Sequence, residues 1–231
     1  MNLYDTCVSN WLVNGLQKSI LFHADYCKLS HKDTKVNDSY ILVLHEEYHN
    51  IFKYESGRMQ LNHGKFHKYI GITLDYTTVG QVKTTMLDYI DEVLDAFNKV
   101  NTTGGGTQSG NSPAILFNVK EDCIKLISKQ AVDCHHLVAK IIYSTKRYRM
   151  DICTVISFLA TRVKETDNDD WDKLVHLMKY IRVTSNLPLI LSTNGSGILN
   201  CCIDGSFVVH PNMRGHTGGG ISMGRVFSIF S

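Results

Sequence analysis

The stretch Cys134-His-His-Leu-Val-Ala-Lys-Ile-Ile142 places its apolar residues three and four positions apart. That spacing brings them to one face of an α-helix. The same pattern recurs over residues 152–163 and 171–181. The sequence therefore predicts three consecutive helices, which form a helical unit in the second half of the chain.

Patterns typical of β-strands flank this helical unit on both sides. Upstream, residues 18–30 alternate around a turn at 23–26, and residues 59–86 contain apolar runs broken by turn residues. Downstream, residues 189–231 contain short apolar runs separated by glycine-rich turns. Such patterns predict β-hairpins. Because strands and helices occupy separate stretches, we predict an α+β fold.

Two further helices are predicted in the first half of the chain. Asp33 can cap a helix whose apolar face extends to Tyr48. A second helix follows, with apolar residues at helical spacing from Met86 to Phe97. The first half is therefore expected to combine hairpins and helices.

The stretch Asn101-Thr-Thr-Gly-Gly-Gly-Thr-Gln-Ser-Gly-Asn-Ser-Pro113 is the low-complexity segment of the chain. Glycine and small polar residues give it backbone freedom and little to bury, so we predict a flexible linker. The predicted segments are 1–98 with hairpins and helices, 99–113 as the linker, 114–188 as the helical unit, and 189–231 as a β segment.

Composition restricts the class of protein. The chain has 231 residues, a formal net charge of +2 and 43% hydrophobic residues, which is typical of globular domains and excludes a histone-like nucleic-acid binder. Its seven cysteines include no C-x-x-C pair, so no disulfide framework or cysteine zinc site is indicated. No apolar run is long enough to cross a bilayer. We expect an intracellular protein, cytoplasmic or nuclear, with no membrane partner.

The sequence His45-Glu-Glu-Tyr-His49 matches H-E-x-x-H, in which two histidines on one helix face bind zinc and the glutamate acts as a base. A zinc metallopeptidase needs a third ligand, and Phe52 stands where the extended motif requires glycine. A metallopeptidase acting through His45, Glu46 and His49 is therefore the less favoured alternative.

A basic and aromatic cluster lies at the end of the first predicted helix of the helical unit. Cations interleaved with aromatic rings are suited to phosphates and bases, although a solvated helix end would have the same composition. The cluster consists of Lys140, Lys146, Arg147 and Arg149, with Tyr143 and Tyr148 between them.

Several blocks, in chain order, carry a resemblance to a known family. They are Leu21-Phe-His-Ala-Asp-Tyr-Cys27, His67-Lys-Tyr-Ile-Gly-Ile-Thr-Leu-Asp75, Arg149-Met-Asp151, Trp171-Asp-Lys-Leu174 and Ile203-Asp-Gly-Ser-Phe207. This series resembles the later part of the reverse transcriptase of a copia-type LTR retrotransposon polyprotein, running into its ribonuclease H. The resemblance implies a partial palm over 1–98, a helical thumb and connection over 114–188, and an incomplete ribonuclease H-like domain over 189–231.

The family chemistry is phosphoryl transfer by two Mg²⁺ ions held by carboxylates. The resemblance implies that Asp25 and Asp204 are the catalytic and metal-binding positions, and that Tyr26 replaces the second aspartate of the palm turn. It assigns nucleic-acid contacts to Tyr69 and Gly71 of a primer-grip hairpin, and the basic cluster adds Lys146, Arg147 and Arg149. The implied partners are an RNA or DNA template-primer and an upstream palm and fingers segment.

The departures from the family pattern favour an inactive fragment. A neutral phenol at position 26 is a weak substitute for a charged carboxylate ligand, and the other carboxylates of both sites are missing. We therefore predict an RNA-directed DNA polymerase and ribonuclease H fragment that is inactive alone, with Asp25 and Asp204 vestigial and no tightly bound Mg²⁺. A non-catalytic nucleic-acid-binding remnant is the main alternative.

Overall fold

The structure is a computed structural model that describes residues 5–23, 26–52, 60–102, 104–120, 122–208, 213, 215–224 and 228–230. The chain divides into two compact units, Met1–Ile70 and Gly71–Ser231. Helices account for 41% and strands for 25% of the chain, so neither an all-α nor an all-β class applies. The mixed α and β class predicted from the sequence is confirmed.

The first unit contains an antiparallel sheet of three strands in chain order, β1 (Val8–Val13), β2 (Leu16–His23) and β3 (Tyr26–Ser30). Asn14 and Gly15 join β1 to β2, both at positive φ (52° and 76°), the backbone required by a tight two-residue hairpin turn. Strands β2 and β3 pair up to His23↔Tyr26. The predicted hairpin is therefore present, while Asp25 in its turn lies outside the described residues.

Helix α1 (Thr34–Phe52) and strand β4 (Phe66–Tyr69) complete the first unit. The Asp33 carboxylate accepts a hydrogen bond from the backbone N of Lys35 at 3.0 Å. This bond satisfies one of the unpaired N–H groups at the start of a helix, so Asp33 caps α1 as the sequence predicts.

A buried lysine lies between the sheet and helix α1. Lys18 is 0% exposed, its Nζ donates to the Val36 carbonyl at 2.9 Å, and it lies 4.0 Å from the centroid of the Tyr40 ring. Tyr40 also packs against Trp11, with ring centroids 5.5 Å apart. Because Val36 and Tyr40 belong to α1 and Lys18 and Trp11 to the sheet, this cluster attaches the helix to the sheet.

The second unit is built around helices that share one apolar core. Its buried members include Val93 and Phe97 of the first helix together with Leu137, Phe158 and Leu177 of the later ones. The predicted boundary between a palm and a helical unit therefore does not separate two cores. The helices are α2 (Leu87–Val100), α3 (Pro113–Leu116), α4 (Ser128–Thr145), α5 (Cys153–Arg162) and α6 (Asn168–Val183), with a short 3-10 helix at Met150–Ile152.

The segment between α2 and α3 lies along α6. The backbone N of Thr107 donates to the Lys179 carbonyl at 3.3 Å, Arg182 Nη1 donates to the Gly105 carbonyl at 2.7 Å, and Asn111 Nδ2 donates to the Lys173 carbonyl at 3.2 Å. The sequence predicted a flexible linker here; the structure instead shows a strap held to α6 through backbone groups. In each of these bonds the acceptor is a backbone carbonyl, which every residue has and which therefore leaves no pattern in the sequence.

The remaining strands of the second unit form two antiparallel groups. Thr84 Oγ1 donates to the Leu189 carbonyl at 3.0 Å where β6 meets β7, so residues after 188 do not begin a separate sheet. The first group has the order β5 (Ile72–Asp75), β6 (Gln81–Thr85), β7 (Leu189–Ser192), and the second has the order β10 (Ser228–Phe230), β9 (His216–Ser222), β8 (Asn200–Ser206).

Candidate functional site

Helices α2 and α4 meet at a stacked group of side chains, which we call the α2–α4 ladder and define as Tyr89, Tyr143 and Arg147. The rings of Tyr89 and Tyr143 have centroids 5.0 Å apart. The guanidinium carbon of Arg147 lies 3.5 Å from the centroid of the Tyr143 ring. Tyr143 therefore contacts an aromatic ring from α2 and a cation that lies just beyond the end of α4.

Hydrogen bonds fix the ladder to the backbone of α4. The Tyr89 hydroxyl donates to the Lys140 carbonyl at 2.9 Å, and Arg147 Nη1 donates to the Tyr143 carbonyl at 3.0 Å. Lys140 and Tyr143 lie on one face of α4, and Arg147 lies two residues beyond the end of the helix. All three members of the ladder are half-buried, so part of each is open to solvent.

Arg147 of the ladder and two neighbouring lysines, Lys140 and Lys146, have no carboxylate partner in the part of the chain that the structure describes. Lys140 and Lys146 are exposed. By contrast, the exposed amine of Lys120 binds the Asp169 carboxylate at 2.7 Å. The unpaired charges are therefore available to an anion from outside the chain.

Glu92 of α2 supplies negative charge at the border of the ladder. Burial raises the pKa of the Tyr89 hydroxyl, and the neighbouring Tyr143 and Glu92 raise it further, whereas Arg147 lowers it. Tyr89 is therefore a neutral donor at physiological pH. An anion on this surface would be attracted by the α4 side and repelled by Glu92.

Arg149, which the sequence grouped with these cations, has a structural role instead. Its side chain is 1% exposed, and its Nε and Nη2 donate to the two carboxylate oxygens of Asp151, each at 2.8 Å. Nη1 and Nη2 also donate to the Thr184 carbonyl (3.2 Å) and hydroxyl (2.8 Å). The guanidinium is used inside the fold, which corrects its prediction as a nucleic-acid contact.

The predicted primer-grip segment consists of β4, a two-residue turn and β5. Ile70 and Gly71 form the turn at φ 51° and 73°, a backbone that glycine adopts without strain. Tyr69, in the first unit, packs edge-on against Tyr26 with centroids 6.1 Å apart. Burial raises the pKa of the Tyr69 hydroxyl, and nearby Cys27 raises it further. Gly71 is exposed and belongs to the second unit.

The two predicted metal-binding aspartates have different outcomes. Asp25 lies outside the described residues. Asp204 is exposed on β8, opposite Gly218, and its Oδ1 accepts a hydrogen bond from the backbone N of Gly205 at 2.9 Å. Across the described ranges, no three His, Cys, Asp or Glu side chains are grouped so that they could hold a metal ion. Within those ranges Asp204 therefore does not fit a two-Mg²⁺ site.

The H-E-x-x-H residues of the zinc alternative lie on one helix. His45, Glu46 and His49 lie on α1, as the motif requires, but they have no third ligand among the residues that the structure describes. His63 contacts Asp38 at 3.8 Å, and the Nε2 of His67 lies 2.8 Å from the Gly64 carbonyl. Neither His63 nor His67 forms a group of three potential metal ligands with the motif among the described residues.

Tyr89 is the residue of this surface that the sequence did not single out. The sequence grouped Lys140, Tyr143 and Arg147 in one basic and aromatic cluster, but nothing in the sequence showed which element would pack beside that cluster. The helical pattern of α2 marked its buried positions, and Tyr89 adjoins buried Ile90. Only the packing of α2 on α4 brings it to the ladder.

Comparisons with known proteins find no match to this chain. No protein-family model matches the chain, and no match is found among curated proteins or solved structures. No described helix combines the length and hydropathy needed to span a membrane. The resemblance to copia-type reverse transcriptases therefore stays a prediction from the sequence blocks.

Proposed function

We propose that the chain is the later part of a copia-type reverse transcriptase running into the start of its ribonuclease H, and that it is catalytically inactive alone. The observation that carries the proposal is the order of elements. The β2–β3 hairpin precedes the β4–turn–β5 segment, the helices follow, and an antiparallel group beginning at β8 comes last. Each of these elements contains, or adjoins, a sequence block that resembles the family.

The proposed inactivity follows from the lack of carboxylate ligands for two Mg²⁺ ions. Tyr26 holds the position of the second palm aspartate, and its phenol packs against Tyr69. Two dications need several carboxylates, and a phenol is a weak substitute for a charged carboxylate ligand. Asp204 has one local hydrogen bond and no metal-binding group around it among the described residues. On this proposal, Mg²⁺ binds only when an upstream palm and fingers segment supplies further carboxylates.

The test is a repair series assayed for primer extension with Mg²⁺. The unmodified chain and the Tyr26→Asp variant should both be inactive, because neither contains the aspartate of the earlier palm strand. The Tyr26→Asp variant fused to a fingers and palm segment of the family should extend a primer. Tyr26→Asn in the same fusion is the matched control, since it has a similar size without the charge. Extension by the unmodified chain would refute the inactivity.

A second candidate function is a nucleic-acid-binding remnant, which the unpaired cations Lys140, Lys146 and Arg147 favour. Such binding needs no metal and would survive the loss of both catalytic sites. Its affinity would fall steeply with salt, because bound cations release counterions from the phosphates. On either proposal the partner is RNA or DNA, and the chain acts inside the cell where these are found.

A further inference from the structure

The α2–α4 ladder combines two features that nucleic acids engage together. The Tyr143 ring is already covered by the Arg147 guanidinium at 3.5 Å, so a base would stack on the half-buried Tyr89 ring or on the guanidinium plane. The guanidinium and the two lysines offer charge for phosphates. Within the described part of the chain, neither Nε nor Nη2 of Arg147 has a hydrogen-bond partner. The guanidinium therefore retains donors for a phosphate while its face rests on Tyr143.

We propose that the α2–α4 ladder is a binding site for single-stranded nucleic acid, in which one base stacks on the ladder and the backbone phosphates pair with Lys140, Lys146 and Arg147. This inference rests on the proposed function, which makes nucleic acid the partner. It adds the residues of the site, with Tyr89 and the Arg147 guanidinium as the stacking groups and Tyr143 as their support, and the form of the strand.

The ladder favours a single strand over a duplex for a physical reason. Bases within a duplex are already stacked on one another, and a protein ring gains a base only when that base is unstacked. A duplex could use the three cations but not the rings. Stacking is tolerant of sequence because every base has a π-face, so we expect little sequence preference.

The contrast with the other cations of the second unit supports a role outside the fold. Arg149, Arg162 and Lys173 bind carboxylates at 2.8 to 3.2 Å and are largely buried. The cations beside the ladder contribute no such pair to the described structure. Their cost to folding is small because they remain solvated, and a polyanion would gain from them directly.

Glu92 limits the site on the α2 side. Its carboxylate is exposed and lies near enough to Tyr89 to raise the pKa of that hydroxyl. A strand crossing the ladder would therefore run along α4 rather than across α2. Glu92→Gln should strengthen binding about 2- to 5-fold at low salt, because it removes one repulsive charge near the phosphates.

The experiment measures the anisotropy of a fluorescent 12-nucleotide oligo-dT, and of oligo-U, over a range of salt concentrations with the full chain. Three neutralised phosphates predict a slope of about −2 for log K against log salt on a single strand. Lys140→Glu/Arg147→Glu should weaken binding at least about 10-fold and reduce the slope. Lys129→Glu/Lys164→Glu is the matched control, because both lysines are exposed and without a described partner and the change in net charge is equal.

A second measurement separates stacking from charge without changing the protein. An abasic oligonucleotide of the same length has the same phosphates but no bases, and the unmodified chain should bind it about 10-fold more weakly. Tyr143→Phe, which keeps the ring, should bind like the unmodified chain. Circular dichroism checks that each variant is folded.

The outcomes are distinguishable. Equal weakening by the ladder and control pairs, equal affinity for the abasic strand, tighter binding to a duplex, or no binding by the unmodified chain would each overturn the ladder as a single-strand site. Primer extension by the repaired fusion would still support the reverse-transcriptase proposal in any of these cases. Conversely, ladder-dependent binding with an inactive fusion would support this inference and the remnant function alone.

Discussion

Replacing Arg149 by methionine should lower the free energy of unfolding of the second unit by about 3 kcal/mol. The buried guanidinium makes four hydrogen bonds, two to the Asp151 carboxylate and two to Thr184. Burial lowers the pKa of Arg149, but Asp151 overcomes this effect and the pKa is raised overall. The charge is therefore present at every pH at which the chain folds.

The magnitude follows from what the substitution leaves behind. Removing one partner of a buried ion pair costs about 3 to 5 kcal/mol. The Asp151 side chain is 26% exposed and also accepts a hydrogen bond from the Tyr180 hydroxyl at 3.0 Å, so water and Tyr180 compensate it in part. The value at the lower end of the range is therefore appropriate. Asp151→Asn should cost about as much or more, because it leaves the better buried charge without its partner.

The two tryptophans allow the measurement to be made on one unit. Trp11 lies in the first unit and Trp171 in α6 of the second, so a Trp11→Phe background reports the second unit alone during guanidinium denaturation. With a slope of about 3 kcal/mol per molar, the midpoint should fall by about 1 M. Lys146 is an exposed neighbouring cation, and Lys146→Met should change the free energy of unfolding by less than about 0.5 kcal/mol. A loss below about 1 kcal/mol for Arg149→Met would refute the structural role of this ion pair.

Three further predictions concern other parts of the fold. Burial lowers the pKa of Lys18 from its ordinary value of 10.5, so the unfolded chain binds this proton more readily. The first unit should therefore gain stability as the pH rises towards 10.5, and Lys18→Met should abolish that gain in denaturation followed by Trp11. Burial opposes the charge of Asp169, but hydrogen bonds from Lys120 and Lys173 overcome it and lower its pKa below 3.8. Stability from this group should therefore be lost as the pH falls below about 4, and acid titrations of Asp169→Asn should lack this component. A Cβ at Gly106 would lie 2.2 Å from a Val183 methyl carbon, whereas one at Gly104 meets nothing within 4 Å; Gly106→Ala should destabilise the strap by about 1 kcal/mol and speed its cleavage in limited proteolysis, and Gly104→Ala should not.

The helices of the second unit could be predicted because they bury one continuous face each. The apolar spacing around Leu137 and Ile141 depends only on the geometry of a helix, and α4, α5 and α6 lie where that spacing placed them. The β2–β3 hairpin was likewise marked by alternation around a turn. These signals are local, so a single sequence contains them.

What the sequence did not show depends on contacts between distant residues. Arg149 and Lys146 are near neighbours of the same charge, but only Arg149 meets Thr184, which lies 35 positions away, and is buried. The strap was predicted as a flexible linker because its contacts are made by backbone carbonyls such as that of Gly105. Lys18 is buried because Tyr40 and Val36 of α1 cover it. None of these partners can be identified from local composition.

For the candidate site, too, the sequence predicted some residues and missed those that depend on contacts between distant parts of the chain. The sequence placed Lys140 and Arg147 in one basic and aromatic cluster, whereas the contribution of Tyr89 required the packing of α2 on α4. The catalytic positions were assigned by resemblance, and the structure adds only that Asp204 belongs to no group of three or more potential metal ligands within the described residues. The role of Tyr69 stays a prediction, with its contact to Tyr26 as the new fact.

The pairing of β6 with β7 has a consequence for the order in which the chain can fold during synthesis. Thr84 meets Leu189 across 105 positions, so β6 leaves the ribosome long before its partner strand exists. At about 5 to 20 residues per second, the delay is on the order of 5 to 20 s. During that interval the open edge of β6 is available to other nascent chains. The helices between the two strands can form meanwhile, and their packing shortens the distance that β7 must search before it closes the sheet.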